Sequence, residues 1–220
     1  MLDRAALPRV APFLAYLFFI FIADMLGRLG LTPHDLRWLY ALKIVVVVGL
    51  LCYWRRSYVE LAASKLDARA AAIAAVTGVV VFLLWIELDA AWMSIGQSDG
   101  FDPRDNGRMQ CSLVLLRLAG AALVVPVMEE LFWRSFLLRW IDSASFLARA
   151  PAQASARAFL VTMVLFGIEH NLWLAGMVAG AAYTVLYMRS GSLWSSILAH
   201  GVTNGVLGCW IISGGHWNYW

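Results

Sequence analysis

From Ala70 to Ile86 the chain carries no charged side chain, and comparable apolar runs recur along it. They cover Val10 to Ala23, Leu36 to Trp54 around Lys43, Ala158 to His170, Leu172 to Met188 and Leu193 to Ile212. A helix of about 20 mostly apolar residues spans a bilayer. Backbone in lipid must satisfy its own hydrogen bonds, so such runs become helices. Of the 220 residues, 62% are hydrophobic and 14% charged, with a mean hydropathy of +0.73. Soluble domains are only about half apolar. The fold class expected is therefore all-α, a polytopic transmembrane bundle of seven to eight membrane helices with a four-helix core. It forms a single integral membrane domain over 1–220, with an N-terminal three-helix part (1–108) and core helices over 109–213. A net charge of +3, scattered along the chain, points away from nucleic acid. Cys52, Cys111 and Cys209 contain no CxxC pair, which argues against a zinc-thiolate site or a disulfide framework.

Asp3, Arg4 and Arg9 precede the first run, and Asp24, Met25 and Leu26 follow it in place of a small-residue cleavage site. The run reads as an uncleaved span. Arg55, Arg56, Lys65 and Arg69 form a basic loop, and Arg139, Arg149 and Arg157 mark a basic connection. The loop from Asp89 to Arg108 is rich in Gly, Asp and Pro, and its aspartates read as solvated. With a cytoplasmic N-terminus, seven spans put the basic loops inside and the acidic loop outside. Met109 to Ile141, 33 residues, exceeds one untilted crossing. A break near Gly120 or Pro126 is expected there, adding a half-helix or an eighth crossing.

That segment holds Glu129, Glu130 and Arg134 within VVPVMEELFWRSFLLRW. Charges at lipid depth are paired, buried among helices or functional. Glu130 and Arg134, four apart with the acid first, suit an ion pair on one helix face. Glu129 lies about 100° around the helix, free to face a cavity. A solvated helix end with an ordinary ion pair is the other reading of this stretch. Further along, His170 follows Phe166 by four residues, and Asn204 follows His200 by four. Each alone reads as packing or interhelical glue. Gly176 and Gly180, and then Gly201, Gly205 and Gly208, allow their helices to approach closely. A carboxylate base, two imidazoles and an amide donor are what peptide hydrolysis needs. Glutamate with two histidines is also a zinc set, although no HExxH motif is present. His34 and His216 carry no assignment.

EExxxR (Glu129 to Arg134), FxxxH (Phe166 to His170) and HxxxN (His200 to Asn204), in that order, resemble the three motifs of the CPBP intramembrane proteases, the family of the CAAX prenyl endopeptidases and bacteriocin-immunity membrane proteins. The likeness covers roughly Ala121 to Gly208 and leaves the first three spans outside. The surrounding wording further resembles bacterial CAAX-protease-related proteins found with exosortase and exopolysaccharide systems. The resemblance implies an intramembrane endopeptidase of a bacterial cytoplasmic membrane, acting on a membrane-anchored protein or peptide, with a functional link to an exosortase system. Glu129 would be the general base assisted by His170, and His200 and Asn204 the oxyanion residues. Glu130, Arg134 and Phe166 would give support. Glu169 could orient His170 or face the headgroups. No cofactor is required on this reading. Zinc on Glu129, His170 and His200 is chemically possible, but the sequence neighbours of His200 offer no carboxylate to fix its tautomer. The competing class is non-catalytic: a scaffold, or a small transporter with a buried polar cluster. Against a transporter stands the lack of an internal repeat.

Overall fold

A computed structural model describes residues 4–63, 66–96 and 100–220. Asp3 and Lys65, named above, and Ser98 and Asp99 of the 89–108 loop lie outside the described residues. Eight α-helices follow in chain order. They are α1 (Leu7–Arg28), α2 (Arg37–Tyr53), the short α3 (Val59–Ala63) and α4 (Ala68–Glu87), then α5 (Cys111–Trp140), α6 (Ala156–Ile168), α7 (Trp173–Ser190) and α8 (Leu193–Gly214). Asp67 caps α4 by accepting from the Ala70 amide, and Ser155 caps α6 by accepting from the Ala158 amide. Gly191 and Gly215, both at positive φ, stop α7 and α8. Between α4 and α5 a two-stranded hairpin pairs β1 (Arg104–Asp105) with β2 (Arg108–Met109). Its Asn106-Gly107 turn takes φ of +48° and +76°, the conformation this dipeptide favours in tight hairpins.

By length and apolarity, α1, α4, α5 and α8 can each cross a membrane. α2 has 17 residues and α6 only 13, so the seven long helices are not seven equally good spans. The expected break in α5 does not form. The helix runs unbroken for 30 residues, and π turns at Gly120–Val124 and Leu131–Leu137 stand where a kink was expected. A π turn absorbs the amide that Pro126 lacks without severing the rod. No half-helix or eighth crossing arises from this segment.

α8 is the inner helix, packing against α4, α7 and α5, while α6 pairs with α7 and α1 with α2. Glycine sets two of these approaches. A Cβ on Gly78 of α4 would stand 2.4 Å from the Ala199 carbonyl oxygen of α8, and one on Gly176 would stand 3.0 Å from the Gly167 Cα. Backbones this close leave no room for a side chain. The outward faces carry Leu14, Phe18, Val45, Val76, Leu83 and Leu115, an apolar belt of the kind lipid covers. Cys52, Cys111 and Cys209 are free and exposed.

Two residues assigned to basic flanks are not solvated. Arg9 is 1% exposed and donates to both Glu60 carboxylate oxygens, at 2.7 and 2.5 Å. Arg139, also buried, donates to the Ser135 hydroxyl at 2.9 Å, and that hydroxyl donates to Glu60. The cluster ties α1, α3 and α5 together at one end of the bundle. At the other end His34 stands 3.5 Å from Asp105, and Asp102 pairs with Arg104 at 2.6 Å. The loop aspartates among the described residues are thus exposed as expected but partnered.

Candidate active site

The Glu129-Glu130 pair sits between the two π turns of α5, with both carboxylates buried. Glu130 Oε1 lies 3.0 Å from Arg134 Nη1, the ion pair that the spacing predicts. Arg134 also donates to the Gly180 carbonyl at 3.2 Å and lies 4.4 Å from the Phe166 ring centre. Phe166 is therefore a buried support for the arginine as well as a neighbour of His170.

His200 lies between the two glutamates. Its Nδ1 is 3.0 Å from Glu130 Oε1, and its Nε2 is 4.0 Å from Glu129 Oε2. Glu130 Oε1 thus serves Arg134 and His200 together. This corrects the expectation that His200 lacks a carboxylate to fix its tautomer. The carboxylate comes from 70 residues away in the chain, where sequence neighbours give no hint of it. The His200 ring stacks on Tyr183 of α7, with ring centres 5.0 Å apart. The Tyr183 hydroxyl donates to Thr203 at 2.7 Å, and Thr203 donates to the Gly78 carbonyl at 2.8 Å. Tyr183 and Thr203 are supports that sequence reasoning missed, because each reads alone as core.

His170 follows the end of α6, and its Nδ1 donates to the Phe166 carbonyl at 2.7 Å. The backbone of the FxxxH motif thereby sets the tautomer, leaving Nε2 as an acceptor. Glu169 does not orient the imidazole. Its carboxylate accepts from Trp133 Nε1 at 3.2 Å. Asn204 Nδ2 donates to the Ala121 carbonyl at 2.9 Å, which leaves its second N–H free.

Glu129, His170, His200 and Asn204 line one cavity of about 210 Å³. Trp85, Phe166 and Tyr183 form its apolar wall, while Tyr16 of α1 and Tyr40 of α2 reach it from the N-terminal half. Glu129 Oε2 is buried without a hydrogen-bond partner. A cavity holding an unengaged carboxylate, an imidazole acceptor and an amide donor has the parts needed to activate water and hold an oxyanion. Among the described residues no three His, Cys, Asp or Glu side chains gather as a metal-binding cluster.

Residues 111–206, which carry all three motifs, match the model of the family described as type II CAAX prenyl endopeptidase, Rce1-like. Over that stretch the chain is similar to the CAAX prenyl endopeptidase family. That family is one of hydrolases acting on peptide bonds, and the apolar helices support an integral membrane protein. A CAAX-type endopeptidase set in a bilayer acts on membrane-associated substrates. Neither the curated proteins nor the solved structures yield a match to the chain.

Proposed function

We propose that the chain hydrolyses a peptide bond of a membrane-anchored protein or peptide, with Glu129 as general base and no metal. The observation that carries this reading is the buried Glu129 oxygen, unpaired beside an ion-paired neighbour and facing the cavity of His170, His200 and Asn204. Glu129, with His170 Nε2 as second acceptor, takes a proton from water, and the hydroxide adds to the scissile carbonyl. His200 Nε2 and the free Asn204 N–H donate to the resulting oxyanion. With its Nδ1–H directed at Glu130, His200 offers an N–H on Nε2 only as the imidazolium, whose charge the Glu130 carboxylate faces. Glu129 then returns the proton to the leaving amine as the C–N bond breaks, giving a carboxylic acid and an amine, and the acid's proton passes to the amine to leave a carboxylate and an ammonium. Purified protein presented with a library of membrane-anchored reporters tests this. Cleavage at a defined bond is expected, and an intact library would refute it.

The metal-free mechanism has its own test. Activity is expected to survive exhaustive chelation, with substoichiometric zinc by elemental analysis. Stoichiometric zinc whose removal kills activity and whose return restores it would overturn the mechanism while keeping the same residues.

The host membrane on this reading is a bacterial cytoplasmic membrane, with the N-terminus inside and a functional link to an exosortase system. Arg55, Arg69, Arg149 and Arg189 share one end of the bundle, and the β-hairpin caps the other. The excess of basic residues at the first end supports a cytoplasmic placement. A cysteine at Ser57 is expected to label only from the cytoplasm, and one at Asn106 only from outside. Labelling of both from one side would refute the topology.

A further inference from the structure

The cleft between α1 and α2 holds cations that the catalytic reading does not use. It encloses about 710 Å³, at the end of the bundle where the hairpin lies. Phe19, Ile20, Leu36 and Leu39 give it an apolar wall, and Lys43 and Arg117 also face it. Lys43 is 8% exposed, with Nζ 3.8 Å from the Tyr16 ring centre and 5.1 Å from that of Tyr40. The Arg117 guanidinium lies 4.4 Å from the same Tyr40 ring and 5.2 Å from Phe101. Both cations thus rest against one tyrosine. Among the described residues neither has an ion pair or a side-chain hydrogen bond. The other charges on the cleft are engaged: Arg28 with Asp24 at 2.8 Å, and Arg37 with the Arg104 carbonyl at 2.7 Å.

Two unpaired like charges inside an apolar bundle are costly, and an anion placed between them offsets that cost. Lys43 and Arg117 each stand six residues from the start of their helix. At 1.5 Å per residue that is about 9 Å inward. The cations therefore sit just below the membrane surface, beside a wall suited to an acyl chain. We infer that this cleft binds the phosphate headgroup of an anionic membrane lipid, with Lys43 and Arg117 on the phosphate and the acyl chain along Phe19, Ile20 and Leu39. Tyr40 and Arg117 also line the catalytic cavity, so a bound lipid forms part of the wall at its entrance. The inference stands on the cleft alone and does not depend on the catalytic roles.

Full-length protein in neutral detergent, followed by native mass spectrometry and thermal unfolding, tests it with added phosphatidylglycerol, phosphatidylcholine or inorganic phosphate. Phosphatidylglycerol alone is expected to be retained and to raise the unfolding temperature. Lys43→Met and Arg117→Met should each weaken its retention about fivefold. Without lipid, Lys43→Met should unfold no earlier than wild type, because a buried unpaired charge is gone. Equal retention of phosphatidylcholine, or a matching shift from inorganic phosphate, would overturn the lipid assignment. Undiminished phosphatidylglycerol retention in Lys43→Met would overturn the site.

Discussion

Glu129→Gln is expected to remove peptidase activity while leaving the fold intact. The substitution keeps the side chain's size and loses only the proton acceptor. General-base catalysis contributes about 10²–10⁴-fold, so turnover should fall by at least that range, below detection in a reporter assay. Glu129 is 4% exposed, and its Oε2 has no hydrogen-bond partner. Replacing that carboxylate with a neutral amide removes a buried charge whose neighbour His200 Nε2 stands 4.0 Å away, beyond hydrogen-bond reach. Thermal unfolding in detergent should therefore occur at or above the wild-type temperature. Full activity in a folded Glu129→Gln protein would sink the assignment of the base.

Arg134→Met should do the opposite: it should weaken the fold first. The Glu130–Arg134 pair is 3.0 Å apart, with both side chains almost wholly enclosed. Removing one partner of a buried pair costs about 3–5 kcal/mol, because the other charge stays behind without compensation. Here the loss includes the bond to the Gly180 carbonyl and the contact with the Phe166 ring. Low yield and a clearly lowered unfolding temperature are expected. Glu130→Gln should also destabilise, and its folded fraction should lose activity because Glu130 holds His200 Nδ1. Wild-type stability in both variants would show that the pair is not the brace described above.

How much of this was legible beforehand depends on whether a relationship lies within one helix or between two. Charge-free runs such as Ala70 to Ile86 imply membrane helices, because backbone in lipid has few other ways to satisfy its polar groups. The i, i+4 geometry of one helix was enough to pair Glu130 with Arg134 and to set Glu129 apart. It also put His200 and Asn204 on one face. Contacts across helices were not available in that way. The carboxylate that fixes His200 comes from α5, Trp133 rather than His170 takes Glu169, and Arg9 is buried on Glu60 instead of facing water. Spacing along the chain determines which residues share a face. Only the rotation and approach of one packed helix against another decides what that face meets, and α5 reaches its position through π turns that no simple periodicity announces.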